Sequence, residues 1–396
     1  MATTNFTNLN SGAIKTWSKD LWRVARDASF VMQFMGKGPN SVIQHIDELT
    51  KTKAGTKAVM TLIAELEEDG VTGDNDLEGN EEEIQAFDQE IQIDQLRNAN
   101  RSSGKFWEQG TVVKFRETSR DVLGYWLADR IDQLGMLTLA GVPYTEHTNG
   151  KIRVVKGGTG RNLSALAFAG DVSAPTANRI LQIDASADNI IDLADAGTRD
   201  HSTMVRLDTP SYAAMVEAKA YAKSHYIRGV KGPGGEEYYH VFMHPLALAK
   251  LKLDPDFMNA VNNAGVRGNK NPVFTGSMPT VDGLIFHEHR HVYNTQGAAA
   301  TTAVGDEGDA GFKWGAHNAN TNGSRTIMAG AQALGIADLG DPEWNEDSFD
   351  YKNQQGIATG KMFGFKKPKY YSAVDSADMT AGNFEDFGVV AIDHAI

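Results

Sequence analysis

The sequence predicts an α+β fold: a mixed body of helices and strands from which a long two-stranded hairpin projects. Three observations carry that expectation. Glu117 to Leu139 sets apolar residues at three- and four-residue spacing. Thr56 to Leu66 and Ile84 to Leu96 alternate in period two around a turn-rich acidic stretch. Glu237 to Val261 reads as a strand followed by a helix, and the chain closes on two strand-like runs, "KMFGFKKPKYY" and "DFGVVAIDHAI".

In chain order, residues 1 to about 50 read as an arm. Apolar residues recur at helical spacing from Ala13 to Met35 (Ile14, Trp17, Leu21, Val24, then Phe30, Met32 and Phe34), and Gly36-Lys37-Gly38-Pro39 ends the run. Met60, Leu62, Ala64 and Leu66 then share one strand face, and "EEDGVTGDNDLEGNEEE" supplies the turn. A lone hairpin is barely stable in water, so this one is expected to lie on something else. In the Glu117 to Leu139 helix the stripe is Val122, Leu123, Trp126, Leu127, Arg130, Ile131, Leu134 and Leu137, stopped by Gly141 and Pro143. At ~35 Å it would suit a structural spine. From Gly150 to Asp200 only turns and short strands are readable. Pro210 to Tyr226 forms a second amphipathic helix, a third begins near Pro245 where proline fits a first turn, and "VDGLIFHEHRHVYN" reads as a strand. There is no internal repeat.

Composition limits the function. The 396 residues, 41% hydrophobic and 22% charged, are those of an ordinary globular protein with material for about two to three domain-sized units. The chain has no cysteine, which excludes disulfides, cysteine-zinc sites and thiol nucleophiles. The polar first ten residues are not a secretory signal, and no run approaches the ~18 apolar residues of a membrane span, so no membrane partner is expected. Net charge is -13, and Ala58 to Leu96 alone holds thirteen acidic residues with no Lys or Arg, leaving the remainder balanced at 38 against 38. The acidity is one local feature.

His287-Glu288-His289-Arg290-His291 matches H-E-x-x-H, which works only on a helix that brings both imidazoles to one face. Gly283 and the Asn294-Thr295-Gln296-Gly297 stretch leave little room for a helix, and strand formers flank the motif. The strand reading places His287, His289 and His291 on one face opposite Glu288 and Arg290. "KGGTGR" lacks the ending of a phosphate loop, no G-x-S-x-G elbow is present, and "DNDLEGNEEE" has the wrong spacing for a calcium loop. No catalytic, cofactor or metal site is expected.

What remains is docking. The acidic tip comprises Glu67, Glu68, Asp69, Asp74, Asp76, Glu78, Glu81, Glu82 and Glu83. Basic counterparts are residues 1 to 57, with eight basic and four acidic residues, and Lys361, Lys366, Lys367 and Lys369 near the end. An acidic finger and basic patches in one polypeptide suggest self-association through head-to-tail contacts, with the hairpin folding back on its own body as the alternative.

The order of parts, together with "SGKFWEQGTVVKFRETSRDVLGYWLADRIDQL", "HVFMHPLALAKLKLDPDFMNA", "VDGLIFHEHRHVYN" and "GKMFGFKKPKYY…DFGVVAIDHAI", resembles the HK-97-like major capsid proteins of tailed bacteriophages, most closely the short-tailed N-four-like phage coat family. The resemblance implies an N-terminal arm (1–50), an E-loop (51–105), a peripheral domain with the spine helix (106–200), an axial domain (201–350), and C-terminal strands (351–396) completing the peripheral domain. It further implies hexamers and pentamers closing into an icosahedral shell in the bacterial host cytoplasm, around double-stranded DNA held without sequence-specific contact. Implied partners are a portal, a scaffolding protein and in some cases a decoration protein. Some fifty arm residues leave no room for a fused scaffolding segment, so the scaffold is expected to be separate. An encapsulin-like bacterial compartment and a zinc metalloprotease through His287, Glu288 and His291 are the alternatives.

Overall fold

The computed structural model describes Leu21, Ala25 and residues 28–46, 55–63, 70–82, 84, 86–110, 114–155, 161–185, 189–192, 201–264, 280–301, 309–316, 318–371 and 384–396. The chain enters through β1 (Met35–Gly36) and β2 (Ile43–Ile46). The hairpin follows as β3 (Lys57–Ile63) and β4 (Ala86–Gln92), running on into β5 (Asp94–Arg101). Helices α1 (Lys105–Gly110) and α2 (Phe115–Ala140) come next, then β6 (Ile180–Asp184) and β7 (Asn189–Asp192). Then come α3 (Tyr212–Ser224), β8 (Val230–Lys231), β9 (Glu237–Met243), α4 (Pro245–Leu253) and α5 (Pro255–Ala264). The last third holds β10 (Thr280–Val281), β11 (Leu284–Glu288), β12 (Gly323–Ala329), β13 (Leu334–Asp338), β14 (Glu343–Phe349) and β15 (Gln354–Lys366). It closes with β16 (Lys369–Tyr371), β17 (Phe384–Asp386) and β18 (Val389–Ala395).

Two larger sheets organise these elements. One runs β1-β2-β13-β15-β14, with β5 on the other edge of the thirteen-residue β15. The second runs β10-β11-β9-β12-β18-β6-β7, with β8 on β9. The closing strands therefore part company: β15 joins the first sheet, whereas β18 sits between β12 and β6 in the second. This differs from the expectation that residues 351–396 complete one unit. Every residue of β18 is buried, so it needs a neighbour on both edges and cover on both faces, which a central position supplies.

α2 is the spine. Its 26 residues span about 39 Å. Gly141 ends it in the left-handed region (φ 67°), where its N–H donates to Thr138 O and the Val142 N–H to Leu137 O. Leu127, Leu134 and Leu137 are fully buried on a helix that packs on β12, β15 and the arm, each contributing about 1.5–3 kcal/mol. The expected stripe holds from Leu123 onward. Val122 is half exposed instead, because the inward register on the first turns runs through Ser119 and Leu123.

The second core lies between α3, α4, α5 and the second sheet. Ser211 caps α3 by accepting from the Ala214 N–H. Pro255 splits the helix expected after Pro245 into α4 and α5, since it lacks the N–H to continue the ladder.

The arm also departs from expectation. Leu21, Ala25 and Ala28 are helical, but Val31–Phe34 is a 3-10 turn leading into β1. Asp132 of α2 causes the bend: its carboxylate accepts from Ser29 Oγ at 2.6 Å and from the Phe30 and Val31 N–H groups at 3.0 Å. Most of the expected Ala13 to Met35 helix lies outside the described residues.

Candidate assembly surface

β3 and β4 pair antiparallel from Lys57↔Gln92 to Ile63↔Ala86, the hairpin the alternation predicts. One face buries Ala58, Met60 and Ile91 against Ile46 and Ala337, so the base lies on its own body. Lys366 Nζ donates to Glu90 O at 2.7 Å, and the Gln92 N–H donates to Asp171 Oδ2 at 3.2 Å. The distal part is different. Gly70, Gly73 and Gly79 take positive φ, and Asp74, Asp76, Glu78 and Glu81 are exposed. Glu82 is half-buried. No described cation pairs with Asp74, Asp76 or Glu78, and Leu77 and Ile84 stand 60% and 69% exposed beside them. Glu67, Glu68, Asp69 and Glu83 lie outside the described residues.

The basic patch near the chain's end is corrected in two of its four members. Lys361 is buried, with Nζ 2.6 Å from Asp338 Oδ1 and 2.7 Å from Gly340 O. Lys367 is buried too, with Nζ 2.7 Å from Asp386 Oδ2. Lys366 is half-buried, on the Glu90 carbonyl and 3.6 Å from Asp171. Lys369, also half-buried, opens β16. The physical reason is strand geometry: Lys361, Phe363, Phe365 and Lys367 share one inward face. Of the basic residues expected as a counter-surface in residues 1 to 57, Lys15, Lys19, Arg23, Arg26, Lys51 and Lys53 lie outside the described residues.

The H-E-x-x-H stretch is not helical. β11 ends at Glu288 and the chain turns at Arg290, sending the three imidazoles to different partners. His287 Nε2 lies 2.9 Å from His240 Nδ1, His289 stacks on Phe30 at 4.3 Å, and His291 Nε2 meets Asp129 Oδ1 at 2.9 Å. Burial holds His287 down to about 4, helped by His240. No group of three or more His, Asp or Glu among the described residues could hold a metal ion. The histidines seat the arm: Phe30 and Phe34 pack on His240, Phe242, His287 and His289.

Sequence reasoning missed the buried charges that fasten the closing strand. Arg325 donates to both oxygens of Asp393 (2.7 and 2.8 Å) and to Ala140 O at the end of α2 (2.8 Å). His201 Nε2 lies 2.8 Å from Asp393 Oδ2 and stacks on Trp314. Burial alone would raise the Asp393 carboxyl, but Arg325 and His201 outweigh it and hold the group well below the usual carboxylate range. Arg179 Nη2 sits 3.0 Å from Glu385 Oε2 in the same region. Lone Arg and Asp letters spread over two hundred residues give no motif. The available clue was a charged residue inside an apolar run, as at Asp393 in "GVVAIDHAI".

Residues 5–396 match the family described as phage capsid protein. The chain is 49% identical over 389 residues to the major capsid protein of Pseudomonas phage KPP25, covering 98% of this chain and 96% of that protein. In fold it is similar to the capsid of Ralstonia phage GP4, with a TM-score of 0.69 at 23% identity, covering 92% of this chain and 90% of that one. It is also similar to the Cyanophage Pam1 capsid, with a TM-score of 0.66 at 16% identity and coverage of 94% and 93%.

Proposed function

The chain belongs to the phage capsid protein family, and from that membership we propose that its acidic hairpin and N-terminal arm are the parts through which each copy engages its neighbours. Its role is structural: it is a major capsid protein with the HK-97-like fold, a shell-forming component of a phage particle. The encapsulin and metalloprotease alternatives lose to that membership.

One observation carries the docking reading. The hairpin's base is held by its own body, while Asp74, Asp76 and Glu78 beyond it have no described cationic partner. Like charges held on a projecting finger repel one another, and an opposite surface on a second copy relieves that cost. Many such weak contacts per subunit add up to a firm shell.

In this reading the peripheral unit comprises α2 and the first sheet, and the axial unit comprises the second sheet with α3 to α5. Copies assemble as hexamers and pentamers into an icosahedral shell in the host cytoplasm, on a separate scaffolding protein. A portal, packaged double-stranded DNA held without sequence-specific contact, and a decoration protein are the remaining partners. Electron microscopy of the purified chain alone and with a candidate scaffold tests this. Closed shells are expected only with scaffold, and regular shells from the chain alone would remove the scaffold from the scheme.

The hairpin test is Asp74→Lys, Asp76→Lys and Glu78→Lys together. The variant is expected to fold as before and to give few particles in sedimentation at physiological salt. Undiminished particle yield would sink the docking reading.

A further inference from the structure

A groove of about 580 Å³ opens between β5, the outward side of α2 and the chain after α2. Four arginines line it: Arg97 from β5, Arg130 from α2, and Arg153 and Arg161 from the following segment. Arg130 Nη1 and Arg153 Nη2 both donate to Gln133 Oε1, at 2.8 and 3.2 Å, so two guanidinium groups converge on one amide oxygen. Arg153 also donates to Glu146 O, and Asp129, 3.8 Å from Arg130 Nη2, offsets only part of the positive charge of the two guanidinium groups. Burial, then the nearby Arg130 charge, pushes Arg153 down to about 10. Arg97 and Arg161 are exposed and have no carboxylate partner among the described residues. The one acid on the wall, Asp94, is engaged by the Gln95 and Ala167 N–H groups.

The groove is apolar as well as basic. Val154 and Val155 are 71% and 53% exposed on its wall, and Trp126 is half-buried beside them. Such a surface suits a peptide that carries carboxylates interleaved with aliphatic side chains. A phosphodiester backbone would satisfy the arginines but leave both valines uncovered. The hairpin tip has the required pattern: Leu77 and Ile84 are exposed among Asp74, Asp76, Glu78 and Glu81. Of the lysines expected to receive it, Lys361 and Lys367 are spent on internal ion pairs.

We propose that the Arg97-Arg130-Arg153-Arg161 groove is the seat for the acidic hairpin of a second copy of this chain. The proposal rests on the hairpin-docking reading above and names its receptor. Guanidinium forks pair with tip carboxylates while Val154 and Val155 cover Leu77 or Ile84.

The test reverses both sides in the full-length chain. Arg97→Glu with Arg161→Glu leaves the buried contacts of Arg153 alone, and about a tenfold loss of particles is expected. Adding the Asp74, Asp76 and Glu78 to Lys changes should restore assembly by swapping the charges. If the tip variant blocks assembly while the groove variant assembles normally, the seat is elsewhere and this inference falls, with hairpin docking intact. If the tip variant assembles normally, hairpin docking itself falls. Normal shells with reduced DNA content in the groove variant would assign the arginines to phosphates and overturn the proposal. A second measurement needs no charge change. The natural chain has no cysteine, so Asp76→Cys and Arg161→Cys in one chain report contact directly. Assembled particles should then give disulfide-linked ladders under oxidation, and their absence would count against the seat.

Discussion

Lys367 Nζ lies 2.7 Å from Asp386 Oδ2, with both side chains buried where β16 and β17 begin to pair. Burial pushes the Lys367 ammonium down, and the Asp386 charge partly offsets this. Removing one partner strands the other, at a cost of about 3–5 kcal/mol. Lys367→Glu is therefore a folding mutation, and chemical denaturation should show that loss. Lys369→Glu, two residues along and half-buried, should stay within about 0.5 kcal/mol of the natural chain. Equal losses would mean that the internal pair does not matter.

Arg325 and Asp393 extend the same logic to the last strand, which they tie to the end of α2 through Ala140 O. Asp393→Asn should cost about 3–5 kcal/mol, whereas Arg325→Met with Asp393→Leu should recover much of the loss, because it removes both members of the buried pair together. A folded-state pKa held below the unfolded value near 3.9 means that this carboxylate contributes stability above that pH. The contribution is lost only as pH falls through the lower folded value. Melting curves of the three proteins at pH 7 decide it. A double variant no better than Asp393→Asn would count against the ion-pair account.

Acid sensitivity should come from the histidines instead. Burial, then the His291 and Arg290 charges, hold His289 down to about 4 despite Asp129, and Asp132 lies 3.9 Å from its Nε2. His287 is held to about 4 beside His240. An unfolded imidazole titrates near 6.5. Between these values the unfolded chain binds protons that the folded chain refuses, so stability is full above about 6.5 and drains as pH falls toward 4. Phe30 and Phe34 lie on these rings, so the arm should loosen first. Hydrogen exchange at the Phe30 to Phe34 amides, corrected for intrinsic rates, should be faster at pH 5 than at pH 7. His287→Asn with His289→Asn should flatten that difference, and equal protection at both pH values would refute it.

Much of the architecture was legible and much of the surface was not, for identifiable reasons. The hairpin and α2 declare themselves because one face of each is apolar and the other polar, so period becomes shape. The same rule read over Lys361 to Lys367 would have turned two lysines inward, yet the density of charge there suggested a basic surface. The placement of β18 depends on partners sixty or more residues away in sequence and on no local signal. The arginine groove is invisible for the same reason: residues 97, 130, 153 and 161 come from separate segments and meet only when β5 lies along α2.

Gly364 marks where β15 passes under the hairpin base, and a Cβ there would stand 2.0 Å from Gln92 O. The obstacle is backbone, so it cannot rotate away. Gly364→Ala should lift β4 off the sheet and cost about 1–3 kcal/mol. The hairpin amides around Ile91 should lose protection from exchange more than those of α2. A uniform change across both elements would show that the strain spreads instead of freeing the hairpin.

The turn between β14 and β15 makes a last case. Asp350, Tyr351 and Lys352 take φ of 50°, 49° and 68°, and Tyr351 is fully exposed. Left-handed backbone at two bulky residues costs on the order of 1 kcal/mol or more each, and nothing folded beneath the Tyr351 ring returns it. Phe106, 90% exposed, is the second residue of α1 next to this turn, where the Lys105 N–H reaches Asn353 Oδ1. Two uncovered aromatic rings at one end of a sheet match the anchors of a protein interface better than those of a lone surface. Tyr351→Ser and Phe106→Ser should each leave the chain's stability within about 0.5 kcal/mol and lower particle yield. Sedimentation and electron microscopy read the yield, and particles formed as readily as before would make this end of the sheet plain surface.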